Sequence, residues 1–193
     1  TGMDALVHAI EAYVSNASSP ITDINALKAI ELIITNLPAA YNEPNNMIYR
    51  NNMMMASLLA GFAFSNASLG LVHAMAHSLG GSLDFAHGEC NALLLESVIN
   101  FNFDSAPEKY FDIARLFEPK LSSKDLKSAN DVLKVKIRTL KNSIGLNYTL
   151  KDIGVKKSHI KTLAEKAIMD GCLATNPKSV NLKSLEECYN NAL

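Results

Sequence analysis

Apolar residues recur along this chain at intervals of three and four, the period of helices that lay one face on a core. Met3, Leu6, Val7, Ile10 and Val14 draw such a stripe over residues 3–15, and Asp4, His8 and Glu11 line a neighbouring strip. The pattern stops near Asn16. Ser18-Ser19-Pro20 then reads as a cap ahead of a first-turn proline. The helix that follows carries Leu27, Ile30, Ile34 and Leu37, and Pro38 is expected to break or kink it. A third helix is predicted over residues 45–65, closed by Phe64. Its Met53-Met54-Met55 reads as core filler, since thioethers suit soft metals and no cysteine lies nearby. Residues 70–88, GLVHAMAHSLGGSLDFAHG, predict a fourth helix with a stop and re-entry at Gly80-Gly81.

Residues 88–101 are apolar through Ala92-Leu93-Leu94-Leu95, and Pro107–Phe117 predicts a short helix with Tyr110, Ile113, Ala114 and Phe117 inward. Ser122 is placed to cap a long helix through Leu126, Ala129, Leu133, Ile137, Leu140 and Ile144, whose lysines form a solvated face and whose C′ position is Gly145. Residues 147–155 read as a loop, and 159–170 and 182–192 as the last two helices. No stretch alternates with period two between turn pairs. There is no internal repeat, no GxGxxG and no P-loop. The expected fold is all-α, a single helical bundle domain of about eight helices over residues 1–193.

Composition narrows the classes. At 193 residues, 48% hydrophobic, 19% charged and net charge -1, the chain suits one domain with a substantial core. It has no basic excess for nucleic acid. Its most apolar run, residues 53–64, is shorter than the ~20 residues a membrane span needs. The opening TGMDAL lacks a signal-peptide pattern and an initiator Met, so a piece of a longer protein is expected. Cys90, Cys172 and Cys188 form no CxxC pair, which points to a reducing cytoplasm.

The chemistry concentrates in the histidines. His73, His77 and His87 are three of the five in the chain. His73 and His77, at i and i+4, share a helix face about 40° apart round the axis. Leu71, Val72, Met75, Leu79, Leu83 and Phe85 surround them, and buried imidazoles in such company need partners. Asp4 and His8 are a second i, i+4 pair. A set such as Asp4, His8, His73 and His87 offers one carboxylate and three imidazoles, suited to Fe(II), Zn, Co or Mn rather than Ca or Mg. Spacing alone does not separate His73 from His77. His159, among Lys156, Lys157 and Lys161, reads as a surface residue.

The stretches TGMDALVHAIEAYVS, GFAFSNASLGLVHAMAHSLGG, HGECNALLL and ATNPKSVNLKSLEECYNNAL resemble the C-terminal half of the iron-containing (group III) alcohol dehydrogenases, a helical domain of dehydroquinate synthase-like fold. The resemblance covers nearly the whole chain. It implies Asp4, His8, His73 and His87 as metal ligands, with Fe2+ expected and Zn2+ the alternative. It implies His77 as a non-ligand beside the nicotinamide, acting in proton relay, and Phe64 and Cys172 in the substrate pocket. The implied reaction passes hydride between a small primary alcohol or aldehyde and NAD or NADP, in a homo-oligomer. The family's N-terminal nucleotide-binding domain is not among these residues, and nothing here can cradle a pyrophosphate. Ser78 and Ala86 stand where the family favours Pro, and Glu96-Ser97 replaces a frequent Pro-His. A zinc glycerol dehydrogenase or a dehydroquinate synthase would carry fewer histidine ligands at other spacings. A catalytically silent metal-binding domain is the rival from outside the enzymes, and a diiron bundle would need a repeated E-x-x-H.

Overall fold

The computed structural model describes residues 1–122 and 126–193, with Lys127 by its main chain alone. The described residues form nine α-helices and two 3-10 turns, without a strand. The helices are α1 (Gly2–Val14), α2 (Pro20–Asn42), α3 (Met47–Ala67), α4 (Leu71–Leu83), α5 (His87–Asn102), α6 (Pro107–Phe117), α7 (Leu126–Ser143), α8 (Lys157–Ala167) and α9 (Leu182–Ala192). The turns are Phe103–Ser105 and Gly171–Thr175. The expected bundle is therefore present, with one helix more than the apolar pattern suggested.

At its centre lies α1, against α2, α3 and α5. Its stripe predicted one buried face, yet Ala5, Ala9 and Ala12 are buried too, so the helix is enclosed almost all round. Ser19 caps α2 as expected: its Oγ accepts the Thr22 N–H at 3.3 Å, while Thr22 Oγ1 accepts the Ser19 N–H at 2.7 Å. Pro38 does not break this helix, which runs on to Asn42. The proline removes one ladder bond close to the C-terminal end, where Leu37 is already buried beside Gly2.

Two expectations about α3 need correction. The helix passes Phe64 and ends at Ala67. Met53-Met54-Met55 is not core filler as a unit: Met53 is half-buried, whereas Met54 and Met55 are 71% and 51% exposed. The face turned inward is the small one, Ala56, Ala60, Ala63 and Ala67. Three consecutive residues span about 200° of a helix, so all three could not share a face.

The Gly80-Gly81 pair is not a stop either, since α4 continues to Leu83. The stop is Asp84, left-handed at φ 57°, whose N–H bonds Gly80 O at 2.8 Å. Gly145 closes α7 as predicted, at φ 79°, with Leu146 N–H on Lys141 O and Gly145 N–H on Asn142 O. The capping role expected of Ser122 falls on residues 123–125, outside the described residues. Further on, α8 begins at Lys157 and ends at Ala167, and His159 accepts the Lys156 N–H at the surface. No single helix among the described residues is long and apolar enough to cross a membrane.

Candidate metal centre

Three helices deliver the ligand set. Asp4 and His8 leave α1 one turn apart, His73 lies in the first turn of α4, and His87 is the first residue of α5. One ligand atom from each of Asp4, His8, His73 and His87 lies within 4.8 Å of the others. Asp4 Oδ1 is 3.4 Å from His87 Nε2 and 3.9 Å from His73 Nε2, and Asp4 Oδ2 is 3.8 Å from His8 Nδ1. His8 and His73 stack at 4.5 Å between ring centroids.

These acceptors outnumber the donors available to them. Asn91 Nδ2 is 2.6 Å from Asp4 Oδ1, 3.0 Å from His87 Nε2 and 3.2 Å from His73 Nε2. An amide NH2 has two hydrogens, so three acceptors compete for them, while Asn91 Oδ1 is buried without a partner. A cation among those lone pairs would relieve the deficit, and one carboxylate with three imidazoles suits a divalent transition metal.

The protonation states fit a ligand role. His73 Nδ1 lies 2.6 Å from Glu11 Oε2, so this nitrogen carries the hydrogen and Nε2 presents its lone pair toward Asp4. Burial pushes the His8 pKa down to about 4, with His73 adding to the effect and Asp4 opposing it. Burial also holds His87 below its ordinary value, against the pull of Asp4. Neutral imidazole is the form a metal needs.

Glu11, which the sequence reading left without a role, braces the centre. It is only 4% exposed, and it accepts the backbone N–H groups of Gly70 at 3.0 Å, Val72 at 2.6 Å and His73 at 3.4 Å. Gly70 is the N-cap of α4 and has no side chain to cap with. Glu11 takes that role from α1, where its charge also meets the positive end of the helix. Asn176 shares it, accepting the Leu71 N–H at 3.1 Å. A Cβ on Gly70 would come within 2.9 Å of Asn176 Oδ1 and 3.1 Å of Glu11 Oε1, so this close approach requires glycine.

His77 stands apart from the four-residue set. Its ring stacks on His87 at 5.3 Å, and its Nδ1 is 2.8 Å from Asp170 Oδ2. His77, Asp170 and Cys172 form a second close group, which places Cys172 on the His77 side of the centre. Burial, and then Asp170, push the Cys172 thiol up to about 12. Phe64 stacks on His8 at 4.4 Å on the other side. All seven residues singled out from the sequence therefore converge on one region. Glu11, Asn91 and Asn176 were missed, although Asn91, four residues after His87, shares its helix face.

This geometry defines a class: a helical domain whose first, fourth and fifth helices converge on a carboxylate–imidazole cluster that could hold a metal ion. The whole chain, residues 1–193, matches the model of the Fe-containing alcohol dehydrogenase family, C-terminal, and the chain belongs to that family. It is 44% identical over 192 residues to a 1,3-propanediol dehydrogenase of Citrobacter freundii, a match covering 100% of this chain and 50% of the relative. It is 46% identical over 179 residues to alcohol dehydrogenase 4 of Saccharomyces cerevisiae, covering 92% of this chain and 45% of that one. The crystal structure of a 1,3-propanediol oxidoreductase superposes with a TM-score of 0.97 at 42% identity, covering 100% of this chain and 50% of its own. The chain thus spans about half the length of these relatives.

Proposed function

We propose that this chain is the metal-binding half of an iron-dependent dehydrogenase that interconverts a small primary alcohol and its aldehyde with NAD or NADP. The observation that carries the reading is the convergence of Asp4, His8, His73 and His87 within 4.8 Å, with the ligating face of His73 set by Glu11. The names of the relatives, propanediol and alcohol dehydrogenases, support the substrate class. Fe2+ is the metal proposed, with Zn2+ accommodated by the same donors. When bound, such a cation eases deprotonation of an alcohol oxygen by stabilising the alkoxide.

The chain's own residues supply the rest. Asp4, His8, His73 and His87 hold the cation, and Phe64 and Cys172 shape the space beside it. His77 carries the substrate proton. The cofactor is held by an N-terminal nucleotide-binding half, as part of a homo-oligomer in the cytoplasm. In a chain that includes both halves and is purified without oxygen, about one iron per chain is expected. A panel of primary alcohols that includes 1,3-propanediol is expected to reduce NAD or NADP. His87→Ala is expected to lose both metal and turnover. Stoichiometric metal retained in His87→Ala would defeat the ligand set, and a wild type inert toward every alcohol and aldehyde would defeat the reaction.

A further inference from the structure

We infer that Asp170 is a positioning residue for His77, holding its imidazole in the tautomer that leaves Nε2 free to take the substrate proton. The role rests on the dehydrogenase reading above. Asp170 Oδ2 lies 2.8 Å from His77 Nδ1, and Asp170 Oδ1 accepts the Cys172 N–H at 2.8 Å. Both carboxylate oxygens are engaged, so the side chain cannot turn away from the ring. A carboxylate only accepts, so the shared hydrogen belongs to His77 Nδ1 and the lone pair to Nε2.

Asp170 is suited to this by its surroundings. Burial works against its charge, but hydrogen bonds from Cys172 and His77 outweigh that and keep its carboxyl below the usual carboxylate range. Its side chain is 20% exposed, whereas that of His77 is 46% exposed. The acceptor is thus partly sheltered and the ring open to exchange. The position is also tied into the fold, because Asp170 is the N-cap of the Gly171–Thr175 turn. Thr175 Oγ1 ties that turn to Leu69 O at 2.6 Å, immediately before α4, the helix that carries His77. During alcohol oxidation, the proton leaving the substrate hydroxyl passes to Nε2 while Nδ1–H stays on Asp170. The imidazolium then faces a carboxylate and releases the proton to solvent from its exposed edge.

Asp170→Asn separates this role from a purely structural one. The asparagine Oδ1 can still accept the Cys172 N–H and preserve the turn, but its NH2 donates to Nδ1 and reverses the tautomer. With both halves present, Asp170→Asn is expected to keep full metal content and a KM within about twofold, while kcat falls roughly 10²-fold, within the range for a lost acid–base group. His77→Ala should show at least that loss, and adding Asp170→Asn to it should cost nothing more, because the two residues act as a unit. Solid-state 15N spectra of histidine-labelled, zinc-loaded protein give a readout independent of turnover. The signal lost in His77→Ala should show a protonated Nδ1 in the wild type and a protonated Nε2 in Asp170→Asn. An unchanged kcat in Asp170→Asn, additive losses in the double variant, or an unprotonated Nδ1 in the wild type would each overturn the role. If the wild type oxidises alcohols, any of these sinks the positioning role alone. If it oxidises none, the dehydrogenase reading fails and takes this inference with it.

Discussion

Glu11 carries more of the centre than its distance from the lone pairs suggests. A carboxylate at 4% exposure must be matched by donors, and Glu11 has the N–H groups of Gly70, Val72 and His73 together with His73 Nδ1. In Glu11→Gln one oxygen becomes an NH2 that cannot accept, so either the Val72 N–H loses its acceptor on Oε1, or the Gly70 N–H and His73 lose theirs on Oε2. Partners that orient a metal-bound histidine typically affect affinity about 10- to 100-fold. Chelator competition on the variant is expected to show a loss of that size, with a lower melting temperature. Wild-type affinity would mean that His73 is held by packing alone. Asp4 and His8 were legible as an i, i+4 pair within one helix, whereas the choice of His73 over His77, and the addition of His87, came from the family resemblance. Glu11 was not legible, although it lies on the strip with Asp4 and His8. Its partners begin 59 positions away, and spacing along α1 says nothing about them. Asn176 is hidden for the same reason, with its partner Leu71 105 positions away.

Among the elements, α4 is one that local sequence misjudged. Two glycines read as a helix end, each costing about 0.5–1 kcal/mol relative to alanine in a helix interior. The helix absorbs both because its first two turns are buried through Leu71–Ala76 and Leu79, and its N-terminus is braced by Glu11. The two glycines are not equivalent. A Cβ on Gly80 would come within 3.2 Å of Phe85 O, where the chain turns back toward α5, whereas one on Gly81 would meet nothing within 4 Å. Gly81→Ala should therefore stabilise the protein by about 0.5–1 kcal/mol, read as a higher urea midpoint at unchanged slope. A lower midpoint would show that the second glycine is also required. The departures from family habit are mild at this scale. Ala86 already holds φ -61°, the value a proline would impose, and the Ser78 hydroxyl donates to Leu163 O at 2.8 Å. The caps at Ser19 and Gly145 were readable because each depends on residues a few positions away. The inward face of α3 was not, because its alanines carry little hydropathy and its methionines drew the eye to the wrong side.

At the scale of the whole molecule, the centre needs only α1, α4 and α5, and the core that holds them is contained within the 193 residues. The side chains that brace it, Glu11, Asn91 and Asn176, come from the same residues. We therefore expect residues 1–193 expressed alone to fold cooperatively and to bind one divalent metal. Asp4, with three imidazoles around it, makes the metal-free form the less stable one. Adding Zn2+ should raise the melting temperature and a chelator should lower it again, by an amount set by metal concentration relative to Kd. The same segment should not reduce NAD or NADP with any alcohol, because the Gly-rich turn that cradles a pyrophosphate is not in its sequence. Its His77 and His87 side chains, 46% and 41% exposed, open to water. Metal affinity should accordingly be lower than in a chain with both halves. Calorimetric melting with and without metal, metal content, and absorbance at the reduced nicotinamide band decide the matter together. A segment that never melts cooperatively would show that the other half completes the core. A segment that turns over alcohol would show that the cofactor is held by these helices.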